Sequence, residues 1–576
     1  MTSSQVPGLH LGDYDWHQRR ISPESLNRPA IEVWGEELDG TPLEVFLRIP
    51  DGSPREYYQA REIEFICPLQ TLRELRQGAG QSLHEPVAWL DDRAQTGQPR
   101  MAASWLTQAS LYEALRAERR VNNDDTEASS ETYADRRLIF IPNPDCRSLW
   151  PLIYTAPCQQ ASVLGEFLWK HVTADWSIQV SFSDDGRSYS LAFHLPFYVW
   201  SPAKTLLQDK RIRPDKTPLR KSTPVSFLNN PGKATSKDDK LDFLHEAQWS
   251  CVVTGYSNVV WTGYGLTDTY FYDADSPFDR SSIRYFETCF QEEGICLDPI
   301  SGFDANLPIQ NPREYFLITL RKCADHIKEE WVHTIARLER KMENYIQDRD
   351  VFFGHTISSL GAADDRSKFL QESYVWTRQV SRLLTSLTER INNTARAWES
   401  FKARDFYYFH DIPQKGRQPR HLLHSIDATF IDLQSLQVRL GNLTNKHEDS
   451  RKLLELYLQV ENNRTIVLQQ YNINFIQIIS PPALTAAMMQ SSVLPWKSGF
   501  LPWVVITAVL WILTASVRPA LTWYHRCLGS NPRPTFISHF THDSMMDSFG
   551  YIPDGVALPQ PTFARYQRRR FENGMS

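Results

Sequence analysis

Residues 465–496, TIVLQQYNINFIQIISPPALTAAMMQSSVLPW, contain no Asp, Glu, Lys or Arg over 32 positions. Lys497 follows, and then SGFLPWVVITAVLWILTASV, residues 498–517, a second uncharged run of 20. The chain as a whole, 576 residues, is 23% charged, so one charge in 53 consecutive positions is a local exception that the average conceals. Residues 475–495 number 21 and residues 500–517 number 18. As helices these are roughly 32 and 27 Å long, matched to the ~30 Å hydrocarbon core of a bilayer. The connection, 491–499, is short and carries only Lys497, whereas Arg518, Arg526 and Arg533 follow the second segment. Trp496, Trp503, Trp523 and Tyr524 sit where interfacial aromatics belong. The expectation is a transmembrane hairpin over 471–517 with both termini in the cytoplasm. The first twenty residues have no apolar core of signal-peptide length, so the large body is expected to be cytosolic and the plasma membrane is the default location.

Polar groups in such a hairpin are costly unless they meet protein or water. Gln470, Asn474, Gln477, Pro481, Thr485 and Met488 recur at three- and four-residue steps and share one helical face. Two readings stay open. Asn474, Gln477, Thr485 and Met488 line a pore in an oligomer, or the same residues bond between packed helices.

The remainder of the chain is of a different kind. The formal net charge is −6, the tail 518–576 carries seven Arg and four acids, and Lys497 adds one more positive charge, which leaves −10 on the first 464 residues. An acidic body has no electrostatic footprint for nucleic acid. Eight scattered cysteines without a CxxC pair read as reduced, buried thiols. Residues 1–135 mix short apolar runs with polar stretches. Within 136–305, RLIFIP at 137–142 reads as a buried strand and SIQVSF at 177–182 alternates with period two. A turn at 184–186 leads to an apolar strand over 189–200, and 248–271 reads as one or two further strands. The Lys/Arg/Pro/Ser-rich stretch 202–240 reads as a long exposed basic loop.

Helix chemistry takes over in 306–470. Asn311-Pro312-Arg313-Glu314 is a start signal, with a capping Asn and Pro at the first helical position. Leu320, Ala324, Ile327, Trp331, Ile335, Leu338, Met342 and Tyr345 then recur every three or four residues. A second helix from about 366 carries Leu370, Tyr374, Thr377, Val380, Leu384, Leu387, Ile391 and Trp398 on one face. A third, from about 420, carries a ten-position stripe from Ile426 to Tyr457. No Pro interrupts it between 420 and 480, so the helix is expected to run on into the uncharged window.

This layout, a cytosolic α+β domain with long stalk helices and a C-terminal two-helix transmembrane hairpin, resembles the CorA family of divalent-cation transporters, and more closely a fungal group of CorA-like proteins. The residues that carry the resemblance are Ala174-Asp-Trp-Ser-Ile178, Asp184-Asp-Gly186, His194-Leu-Pro-Phe197, Pro312-Arg-Glu-Tyr-Phe316 and the segment 462–490. It implies a membrane-embedded homo-oligomer, a pentamer, with Mg²⁺ or another divalent cation as substrate, no cofactor and no enzymatic activity. The family closes its first span with Gly-Met-Asn, whose Asn carbonyls meet hydrated cations. Here Met488-Met489-Gln490 occupies that place. Gln490 keeps an amide carbonyl suited to a hard ion, while Met488 replaces Gly and the following loop has a Lys and no carboxylate. The alternative that these departures favour is a transport-inactive membrane scaffold that recruits a cytosolic protein partner. Asp273, Asp275 and Asp279, and the acids at Glu329-Glu330, Glu339, Glu343 and Asp348, read as solvated side chains, and no phosphate loop, zincin motif or nucleophile elbow is present.

Overall fold

β-Branched and aromatic residues build the longest strand, and its burial shows how the body is layered. Twelve successive residues of Tyr189–Ala203 are buried, which requires cover on both faces of the sheet. The computed structural model describes residues 14–16, 28–36, 40–47, 54–68, 85–101, 103–121, 132–183, 186–229, 241–272, 295–358, 363–410, 412, 419–490 and 500–527. Within these the helices are α1 (Ala30–Trp34), α2 (Pro42–Leu47), α3 (Pro54–Ile66), α4 (Gln108–Arg116), α5 (Cys146–Thr155), α6 (Cys158–Thr173), α7 (Pro312–Ser358), α8 (Ala363–Arg404), α9 (Pro419–Gln490) and α10 (Phe500–Cys527). The strands are β1 (Ala88–Arg93), β2 (Ser104–Leu106), β3 (Arg120–Val121), β4 (Thr132–Tyr133), β5 (Arg136–Pro142), β6 (Ser177–Phe182), β7 (Tyr189–Ala203), β8 (Ser222–Pro224), β9 (Leu241–Gly255) and β10 (Trp261–Thr267).

The main sheet runs β2-β1-β5-β10-β9-β7-β6, with β8 paired to β9. Every pairing in it is antiparallel except β5 with β10, which is parallel from Arg136↔Trp261 to Pro142↔Thr267. Side chains alternate between two cores, as a period of two demands. Leu138 and Phe140 of β5 join the core shared with α7, α8 and α9, whereas Ile139 and Ile141 join the core with α5 and α6. The result is a mixed α+β body with long helices. β1 and β2 come from residues before 135, where the sequence showed no clear strand pattern; β1, AWLDDR, hides two buried carboxylates in a strand.

All eight positions of the stripe expected on α7 are buried. Its N-terminus is capped as the sequence implied: Asn311 Oδ1 accepts from the amides of Arg313 and Glu314 at 2.9 and 3.3 Å. On α8 the expected stripe holds except at Tyr374, which is exposed. Trp376 turns inward instead and stacks on Tyr345 at 3.8 Å. On α9 the stripe is buried from Ile426 to His447 and again at Leu454. The stretch 202–229 corrects the expectation of an exposed loop. It holds β8 and a short 3-10 turn, and it buries Asp209, Arg211, Leu219, Arg220, Val225 and Leu228. Two of its basic residues, Arg211 and Arg220, are drawn inside to Asp268 and Asp209, while Lys204, Lys210, Lys216 and Lys221 stay exposed.

Contacts divide the chain into two units, 1–459 and 460–576. The helix α9, 72 residues long, begins in the first and ends in the second, and α10 follows in the second. Among the described residues no helix is long and apolar enough to cross a membrane. In α9, Asn474, Gln477, Ser480, two prolines and Gln490 dilute the apolarity of the last turns. The connection 491–499 with Lys497, the turn residues Asp184 and Asp185, the acids Asp273, Asp275 and Asp279, and the tail beyond 527 lie outside the described residues.

Candidate functional site

In the second unit, the uncharged end of α9 is helical through Gln490 despite Pro481 and Pro482. A proline inside a helix removes one i→i−4 hydrogen bond and crowds the carbonyl four residues back. Most of this segment's surface is apolar and uncovered: Ile466, Val467, Leu468, Phe475, Ile476, Ile478, Ile479 and Leu484 are all exposed. Between Asn474 and Thr485 the polar stripe is the covered face, whereas Gln470 at its start is exposed. Asn474 and Gln477 are half-buried, and Pro481 and Thr485 are buried.

What covers that face is α10. The Thr485 hydroxyl donates to the Pro481 carbonyl at 2.7 Å and accepts from the Thr507 hydroxyl at 3.1 Å. Thr507 Oγ1 also reaches the Trp503 carbonyl at 2.8 Å. One turn away, the Trp511 indole N–H donates to the Ile478 carbonyl at 3.1 Å. Of the residues that the sequence offers as pore-lining, Thr485 therefore lies in the seam between α9 and α10, with Asn474 and Gln477 on the same face. Met488 and Gln490 are exposed beyond that seam, and the Met489 side chain lies outside the described residues. Thr507 and Trp511 complete the seam and were not singled out from the sequence. The signal was there, since Thr507 is a hydroxyl inside an otherwise apolar run and Trp511 stands one turn from it.

The first unit holds a cavity of about 530 Å³ between the sheet and α7. It lies at the carboxyl ends of the parallel pair β5 and β10, the place where open sheets commonly receive ligands. Phe197, Trp249, Phe271 and Tyr272 form an aromatic wall, with Lys322, His326 and Glu330 of α7 opposite. Lys322 Nζ donates to the Pro299 carbonyl at 2.8 Å and stands 5.8 Å from the Trp249 ring; burial lowers its pKa. Burial, with Glu329 beside it, raises Glu330 to about 7. The sequence places both acids on a solvated helix face; both line this cavity, Glu330 half-buried and Glu329 exposed.

Under the cavity floor is a fully buried ion cluster. Asp268 accepts from Arg211 Nη2 at 2.7 Å, Arg220 Nε at 2.6 Å and the Gln248 amide at 2.8 Å. Asp209 holds the other side of Arg211. Burial raises the cost of the Asp268 charge, and the two guanidiniums more than offset it, so its carboxyl is held well below the usual carboxylate range. His171 and His194 share Ser250 Oγ, at 3.0 and 2.9 Å, and burial holds both imidazoles neutral. A second cluster pairs Asp91 with Arg93 and Arg136, and Asp92 with Arg100 and Arg137. Both clusters are held mainly by internal ion pairs, but Arg136 Nε, His171 Nε2 and Arg211 Nη1 are buried without a hydrogen-bond partner, and Asp268 is among the residues that line the cavity. Among the described residues no group of three or more His, Cys, Asp and Glu is placed to hold a metal ion.

No protein-family model and no curated protein matches the chain. Among solved structures, it is similar to the CorA magnesium transporter from Methanocaldococcus jannaschii, with 11% identity, a TM-score of 0.32, and 75% of this chain and 97% of that chain covered. It is also similar to the full-length CmaX protein, with 11% identity, a TM-score of 0.27, and 76% of this chain and 97% of that chain covered.

Proposed function

We propose that the chain is a CorA-like integral membrane protein whose C-terminal hairpin assembles as a homo-oligomer and moves divalent cations, Mg²⁺ first, down their electrochemical gradient. The observation that carries this reading is the end of α9: apolar side chains are exposed around most of its circumference over a run with no charge at all. Water is a poor solvent for such a surface, and lipid or further copies of the chain are good ones. An oxygen ligand from Gln490 at the outer end of the segment suits a hard, hydrated cation. Both termini are then cytoplasmic.

The test is flux. Purified chain in liposomes should carry Mg²⁺ or Co²⁺ faster than empty liposomes, and Gln490→Ala should lower that flux severalfold. Equal flux with and without protein removes transport from the proposal. A second reading, a membrane-anchored scaffold without transport, is favoured by one observation. Thr485 of the polar stripe is bonded within the hairpin, which leaves fewer polar groups for an aqueous path. Wild-type flux that collapses in Gln490→Ala argues against the scaffold.

A further inference from the structure

A helix loses one backbone bond for each internal proline, and in a dry environment the freed carbonyl must find another donor. Pro482 has no amide to give to the carbonyl four residues back, which is that of Ile478. That carbonyl is the one that receives the Trp511 indole N–H, at 3.1 Å. On the other side of the proline pair, Thr485 is tied to Thr507, and its hydroxyl returns to the Pro481 carbonyl, a contact that itself tends to bend helices. The two bonds from α10 thus straddle the weak point of α9, one before it and one after it.

We propose that Pro481-Pro482 is a latched hinge, in which Trp511 stands in for the backbone amide that Pro482 removes and Thr507 holds the segment beyond. Trp511 is a positioning residue: it fixes the direction of residues 483–490, which end in Gln490, without facing a substrate. The inference rests on the reading that this hairpin is shielded from water, since an aqueous setting would hydrate the Ile478 carbonyl.

A cycle of two substitutions tests the assignment, read by hydrogen exchange in the full chain in lipid nanodiscs. Trp511→Phe keeps the ring and removes the donor. It should speed amide exchange in the peptide spanning 479–486 by about tenfold. It should also broaden the distance distribution between spin labels at the exposed positions Tyr471 and Met488. Pro482→Ala returns the amide, so in that background Trp511→Phe should change exchange by less than about twofold. An equal effect in both backgrounds, or no effect in either, overturns the proposal. Neither readout involves transport, so a chain that conducts nothing can still show the latch. A chain that is released from membranes by alkaline carbonate instead removes the membrane reading itself.

Discussion

Replacing Asp268 with Asn keeps the side chain's shape and deletes one charge at a site with no access to water. Two guanidiniums depend on that carboxylate, and their dependence differs. Arg211 keeps Asp209, which it meets through both Nε and Nη2. Arg220 keeps only the carbonyls of His171 and Val172 and loses its one ion-pair partner. Breaking a buried pair from one side costs about 3–5 kcal/mol, because the surviving charge is left uncompensated. With one of the two arginines still paired, the lower end, about 3 kcal/mol, is expected for Asp268→Asn. Urea denaturation of the full chain in detergent, followed by tryptophan fluorescence, measures it. Arg220→Met removes the stranded charge, so the double variant should be more stable than the sum of the two single losses by at least about 1.5 kcal/mol. A single-variant loss below about 1 kcal/mol, or strict additivity in the cycle, would refute the account of Asp268 as the anchor that draws 202–229 inward.

Acid should also loosen the body. Burial pushes His171 and His245 down to about 4 and holds His194 well below the ordinary histidine range, so in that range the unfolded chain takes up protons that the folded chain refuses. Stability therefore falls as pH drops, by about 2 kcal/mol for His171 between pH 7 and 5, with His245 and His194 acting in the same direction; Glu330, raised to about 7, works in the opposite direction and offsets about as much as one histidine contributes. A denaturation series across that range that shows constant or rising stability toward acid contradicts this. Gly255→Ala places a Cβ 2.4 Å from the Val260 carbonyl and 2.8 Å from Trp261 Cα, both backbone atoms, so the β9–β10 turn must open; a loss of about 2–3 kcal/mol is expected in the same urea assay. Asn311→Ala removes the acceptor for two amides at the start of α7 and should cost about 1 kcal/mol, whereas Asn311→Asp should be close to neutral. Reporter tags at the N- and C-termini should both be protected in sealed, right-side-out vesicles; a protease-accessible C-terminal tag contradicts the hairpin.

The helices were the most legible part of the sequence, because burial in α7 and α9 repeats every three or four residues and nothing competes with it. Strands β5, β6, β7 and β10, and β9 from residue 248 onward, were legible from alternation and β-branched content. β1 was not, since the charges of Asp91-Asp92-Arg93 break any apolar strand pattern, and only the arginines of β5 opposite them make their burial possible. The same blindness applied to 202–229, where Arg211 and Arg220 look like surface charge and are instead partners of Asp268, about fifty residues further on, with Asp209 pairing Arg211 from its own stretch. In the hairpin, periodicity gathered Asn474, Gln477 and Thr485 onto one face but could not say what that face meets. That depends on the phase of α10 against α9, which Thr507 and Trp511 set and no local pattern encodes.

The parallel pairing of β5 with β10 has a consequence for how the body assembles. The sheet is two antiparallel meanders, β2-β1-β5 and β6-β7-β9-β10, stitched along one seam whose partners are about 125 residues apart. Each meander closes over short connections compared with the seam, and long closures are slow. The seam is thus the last part of the sheet to register, and it depends on Gly263 and Gly265, whose missing side chains let Leu138 and Ile300 press against it. A ribosome that has released only the first meander has exposed a bare β5 edge. That edge waits, as an invitation to the wrong strand, until residues 261–267 have been made.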